Sequence, residues 1–136
     1  MNPELLWCAL TEKKRLKEWF VGLDEFRAEV GFHFSFSGGP SEDRQYLHLC
    51  AITQAIPNQL LAFSWEYDGY PGCTFVSFNL TRNGSGTLLT LSHTGLDTFP
   101  AENPDFAHEN FSEGWNDIIN ISLNEYIKNL ANTSGI

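Results

Sequence analysis

Residues 60–94 read LLAFSWEYDGYPGCTFVSFNLTRNGSGTLLTLSHT. Three runs that alternate between apolar and polar follow one another here. Leu61, Phe63, Trp65 and Tyr67 mark the first, Thr74, Val76, Phe78 and Leu80 the second, and Leu89, Leu91 and His93 the third. A period of two puts each set on one face of a strand. The separators are turn signals: residues 68–72 carry Gly-Tyr-Pro-Gly, and Asn83-Gly84-Ser85-Gly86 is a hairpin signature. Strands joined through short turns pair as an antiparallel meander.

Upstream the same period recurs. Phe26, Ala28, Val30, Phe32, Phe34 and Phe36 alternate with Arg27, Glu29, His33 and Ser35, and Gly31 reads as a bulge within that strand. Residues 38–43 form a loop into a further alternating run over 46–56, which Pro57-Asn58 closes. Before the strands, Leu6, Leu10, Leu16 and Phe20 recur at helical spacing with a break at Thr11 and Glu12. This predicts two short helices, with Thr11 capping the second and Gly22 stopping it. After Gly95 a polar, proline-punctuated connector over 97–104 leads to a long amphipathic helix. Trp115, Ile118, Ile119, Ser122, Leu123 and Tyr126 share one of its faces. Gly114 costs helix stability there, so close packing on the sheet or a kink is expected to explain it. The expected organisation is one α+β domain over 1–136: a helix pair over about 1–22, a meander over 23–96 and a C-terminal helix over 105–130.

Composition narrows the function classes. The 136 residues include eleven Phe, so a large core or a roomy pocket is expected. A net charge of −9 argues against nucleic acid, which needs a dense basic face. Four of the eight basic residues, Lys13, Lys14, Arg15 and Lys17, fall in one segment that reads either as a solvated helix face or as a docking patch for an acidic partner. No window approaches the ~18 apolar residues of a membrane span. Cys8, Cys50 and Cys73 are odd in number and follow no signal-peptide pattern, which points to a reducing cytoplasm rather than a disulfide framework.

The order of elements and a set of scattered residues carry a resemblance. The residues are Leu6-Trp7-Cys8-Ala9-Leu10-Thr11 with Leu16, Trp19 and Phe20; Gly31-Phe32 with Phe34; Pro57 with Leu60, Phe63, Ser64 and Trp65; Leu89, Leu91, His93 and Gly95; and Gly114-Trp115. With them the chain resembles the helix-grip superfamily (START-like, SRPBCC), in particular proteins similar to the C-terminal domain of the Hsp90 ATPase activator. The resemblance implies a curved antiparallel sheet wrapped around the C-terminal helix. It also implies a strand before the helix pair, beside the last strand, which this sequence lacks. A late start of the sequence, a sheet that tolerates the gap and a partner chain covering the edge are the open explanations.

Candidate chemistry is sparse. His33, His48, His93 and His108 lie in separate elements without the close pairing of helical metal sites, so no metal or cofactor is expected. No nucleophile motif is present and no catalytic residue is assigned; Glu29 and Glu66, the mid-strand acids, alternate outward. His93 continues the inward parity of Leu89 and Leu91, and His48 shares parity with Cys50 and Ile52. Phe34, Trp65, Phe78 and Trp115 read most simply as core. By the resemblance, they would instead line a cavity between sheet and helix with Val76, Ile119, His48, His93 and Ser122, the last two orienting a ligand. Three functions stay open: a non-catalytic module for a small apolar or amphipathic ligand, a chaperone-accessory domain contacting a protein partner or a second copy, and a small hydrolase or cyclase.

Overall fold

Two short helices open the chain, α1 over Pro3–Thr11 and α2 over Lys13–Trp19, in a computed structural model that describes residues 3–84 and 86–128. Their apolar spacing turns Leu6, Leu10, Leu16 and Trp19 into the core. Thr11 does not cap α2. Its hydroxyl donates back to the Trp7 carbonyl at 2.7 Å, and Glu12, with extended backbone, occupies the cap position. The second helix also stops before Gly22, at Trp19, with Phe20 leaving helical geometry.

Five strands follow: β1 (His33–Ser41), β2 (Arg44–Ile56), β3 (Leu60–Tyr67), β4 (Thr74–Asn83) and β5 (Gly86–Thr94). Each pairs antiparallel with the next, in the order β1-β2-β3-β4-β5. Among the described residues β5 has no further partner on its outer edge. The first alternating run is strand only from His33 onward. Glu29 to Phe32 make a turn, closed by Phe32 N–H donating to the Glu29 carbonyl, and Gly31 sits in it at φ 92°. Such a turn needs a positive φ at its third residue, so Gly31 is a turn glycine and not a bulge. Val30 consequently points to solvent. At the other end β1 runs on to Ser41 with a register irregularity after Gly38, which reduces the expected loop over 38–43 to a turn at Glu42 and Asp43.

The connector holds two tight helical turns, Leu96–Thr98 and Pro104–Phe106. The C-terminal helix, α3, then spans 108–128 and crosses the sheet; the predicted end at 129–130 lies outside the described residues. Its middle, Ile118–Leu123, is a wide π-helical turn. A widened turn shifts the side chains after it around the axis. Leu123 is buried by the shift, and Ser122, expected inward, is exposed.

A hydrogen-bond chain ties this helix to the sheet. Trp115 Nε1 donates to His93 Nδ1 at 3.0 Å; His93 Nε2 lies 2.8 Å from Thr74 Oγ1; Thr74 Oγ1 donates to the Trp65 carbonyl at 2.8 Å. An indole N–H only donates, so His93 Nδ1 carries no proton and Nε2–H donates to Thr74. Protonating His93 would break the bond to Trp115. Burial alone pushes its pKa down to about 4. A histidine held neutral in the fold stabilises it fully above the ordinary pKa, and that contribution is lost as pH falls toward about 4. Between pH 7 and pH 5, His93 should therefore cost the fold about 2 kcal/mol. Urea unfolding at the two pH values should show this loss, and it should shrink in His93→Gln. Equal pH dependence in both chains would show that His93 is not the group responsible.

Candidate functional site

The concave side of the sheet is filled at one end and open at the other. Under the helix pair, Phe34, Phe63 and Phe78 meet Leu10, Leu16 and Trp19 so closely that only about 10 Å³ remains between them. Trp19 Nε1 donates to the Ala9 carbonyl at 2.8 Å, and Arg15 reaches across to the Tyr126 hydroxyl at 3.1 Å. The helix pair is thereby fixed to itself and to the second half of α3. Toward the start of α3 the sheet and helix diverge and leave a cleft of about 930 Å³. The helix walls it with Phe111, Gly114, Trp115 and Ile118. The sheet supplies Phe36 from β1, Tyr46 and His48 from β2, and Trp65 and Tyr67 from β3; Phe20 and Phe106 close its ends.

Strand parity explains the floor. Tyr46 and His48 are two residues apart on β2, as Trp65 and Tyr67 are on β3, and His48 pairs directly with Tyr67. The His48 ring stacks on Phe36 with centroids 4.4 Å apart and meets the edges of Tyr67 at 4.7 Å and Trp65 at 4.9 Å. Its Nδ1 lies 3.0 Å from the Tyr46 carbonyl and 3.2 Å from that of Phe36. Carbonyls only accept, so Nδ1 carries the proton and Nε2 is a bare acceptor. Burial lowers the His48 pKa, against the pull of those two carbonyls, and keeps the ring neutral. Burial likewise pushes the Tyr67 phenol up to about 12. The nearby Trp65 indole opposes this slightly, although its N–H meets no acceptor with hydrogen-bond geometry.

The rim is polar and mostly acidic. Asp105 accepts from the Tyr46 hydroxyl at 2.6 Å, which raises the Tyr46 pKa, and lies 3.6 Å from the Arg44 guanidinium. Asn103 holds this corner, accepting from the Asp105 backbone N–H at 3.0 Å while its amide reaches the Tyr46 hydroxyl at 3.4 Å. Glu113 and Asp117 add two carboxylates from α3.

Of the nine residues the sequence nominated, the cleft takes three: His48, Trp65 and Trp115. Phe34 and Phe78 belong to the filled end, and Val76 is wholly buried in β4. His93 lies behind Trp115 with both ring nitrogens engaged, so it positions the helix instead of facing the opening. Ile119 is half-buried outside the lining, and Ser122 is on the solvent side of α3. Tyr46 and Tyr67 were recoverable from the same parity that picked out His48 and Trp65. Asp105 and Phe106 were not, because the turn that aims them is set by the Asn103 cap inside a connector without periodicity. In the basic cluster Lys13 donates to the Asp24 carbonyl at 2.9 Å and Arg15 pairs with Glu12 at 2.9 Å, leaving Lys14 and Lys17 without such a partner among the described residues. Cys50 is buried, which pushes its thiol up to about 12 and leaves it an inert apolar residue. No described helix is long and apolar enough to cross a membrane.

Solved structures share this architecture. Protein MLL2253 from Mesorhizobium loti is 26% identical, with a TM-score of 0.72 over 94% of this chain and 90% of that one. Mll3558 from Rhizobium loti aligns with a TM-score of 0.79 at 19% identity, over 93% of this chain and 89% of that one. CalU16 from Micromonospora echinospora is 25% identical, with a TM-score of 0.67 over 93% of this chain and 69% of that one. Among curated proteins none matches. Residues 1–128 match the model of one family, described as activator of Hsp90 ATPase homolog 1-like protein, and with the helix-grip arrangement of sheet and α3 this places the chain in that family.

Proposed function

We propose that the chain is a binding module for a small, uncharged, amphipathic molecule taken into the cleft between β1–β3 and the start of α3. The observation that carries this is the cleft itself, about 930 Å³ with aromatic rings on both its sheet and its helix wall, beside a neighbouring core packed almost without space. Ligand sites are concave, mostly apolar and furnished with a few convergent polar groups. His48, Trp65 and Tyr67 are such groups. The rim sets the charge preference, since Asp105, Glu113 and Asp117 face one guanidinium, Arg44.

Gly114 supports the same reading. A Cβ built there would meet no atom within 4 Å, so close packing does not explain the glycine. It lies on the cleft wall, where a larger side chain would project into the opening. The family name also brings a protein-contact reading through the Lys13 to Lys17 cluster, but two of its four cations serve internal contacts.

Gly114→Phe should abolish binding of the neutral dye Nile red, read by its fluorescence, while leaving the fold intact. Gly114→Ala should raise thermal stability by about 1 kcal/mol, the helix-propensity difference between the two residues, and leave dye binding nearly unchanged. Undiminished dye binding by Gly114→Phe would sink the proposal. The anionic dye anilinonaphthalene sulfonate should bind less tightly than Nile red, and the gap should narrow in Glu113→Gln/Asp117→Asn. Tighter binding of the anion to the native chain would contradict the assigned rim.

A further inference from the structure

Given the reading of the cleft as a ligand site, the polar atoms of its floor specify which group the ligand brings. Trp65 is only 6% exposed, and its Nε1 is the one buried side-chain nitrogen or oxygen left without a hydrogen-bond partner among the described residues. Leaving such a donor buried and unpaired is unfavourable, because it gives up its bond to water and gains none in return. The contrast with other indoles is direct, since Trp19 donates to a carbonyl and Trp115 to His93. Beside the Trp65 ring, at 4.9 Å and 90°, stands His48, whose Nδ1–H is committed to two backbone carbonyls. Its Nε2 is therefore a bare acceptor, and it meets no donor among the described residues. Both rings line the cleft.

We propose that the floor is built to receive one aromatic hydroxyl. The hydroxyl oxygen accepts from Trp65 Nε1–H, its hydrogen is donated to His48 Nε2, and the attached ring lies between Phe36, Phe111 and Trp115. No proton is transferred, because the phenol stays neutral and so does His48. The ligand class is an uncharged phenol or hydroxylated polycyclic aromatic. An ether can satisfy Trp65 but leaves His48 unpaired, and a plain hydrocarbon satisfies neither, so discrimination falls in that order.

Calorimetry with naphthol, methoxynaphthalene and naphthalene tests this. Naphthol should bind at least about ten-fold more tightly than methoxynaphthalene, the factor expected for one satisfied buried hydrogen bond. His48→Phe should bring that ratio close to one, Trp65→Phe should instead bring the ratio of methoxynaphthalene to naphthalene close to one, naphthalene affinity should be kept in both, and the Trp65 indole proton should shift in the NMR spectrum when naphthol is added to the native chain. The NMR signal keeps the test decisive if either variant fails to fold. Equal binding of all three compounds, blocked by Gly114→Phe, would overturn the hydroxyl assignment and keep the cleft as a general apolar site, with water on Trp65. Failure of all three compounds and of Nile red to bind would overturn both.

Discussion

An indole nitrogen has a hydrogen to give and no lone pair to offer, and this constraint on Trp115 propagates through the molecule. It fixes which nitrogen of His93 is bare, which makes the other a donor to Thr74, which turns the Thr74 hydroxyl toward the Trp65 carbonyl. Three side chains and one backbone carbonyl, from four elements, thereby share one consistent polarity of hydrogen bonds, from α3 through β5 and β4 to β3. The helix is held at the height Trp115 dictates. Its ring meets Trp65 at 5.6 Å and Phe78 at 6.1 Å, close enough to pack but too bulky to let the first turns of the helix settle on the sheet. The cleft is the space that this standoff leaves.

The two ends of the concave face show the same physics with different outcomes. Where α1 and α2 supply large apolar side chains, the space under the sheet is filled but for about 10 Å³, as protein interiors usually are. Where α3 supplies Gly114, Phe111 and acidic residues, it is not. An aromatic cleft of this kind would ordinarily be unfavourable to keep open, since its lining forgoes packing contacts. Engaging the floor with backbone carbonyls, as His48 does, and the lip with the Asp105, Tyr46 and Asn103 contacts keeps the walls in place without filling the space between them.

The meander was legible because a half-buried strand repeats every two residues, and residues 60–94 keep that repeat almost without interruption. It misled where only half the cause was present. Phe26 to Phe32 alternate like a strand, yet Gly31 at positive φ makes a turn there before the ladder begins. The cleft was legible to the extent that parity decides orientation, which put His48 and Trp65 on the concave face of the sheet, where both line it. Parity says nothing of what lies opposite, so it cannot show that the Trp115 indole covers His93. Helical periodicity failed at Ser122 for a separate reason, because a count of 3.6 per turn does not hold across the wide turn at Ile118–Leu123.

That wide turn divides α3 into two segments whose phases are offset from each other. Residues before it address the cleft, through Phe111, Gly114 and Trp115, while Tyr126 beyond it addresses Arg15 on α2. An uninterrupted α-helix would couple these two sets, since each residue advances the azimuth by about 100° and orienting one end would orient the other. The wide turn resets that relation by a fixed offset. One continuous helix thereby presents Trp115 to the cleft and Tyr126 to α2, two directions that an unbroken 3.6-residue repeat would not bring about from the same sequence spacing.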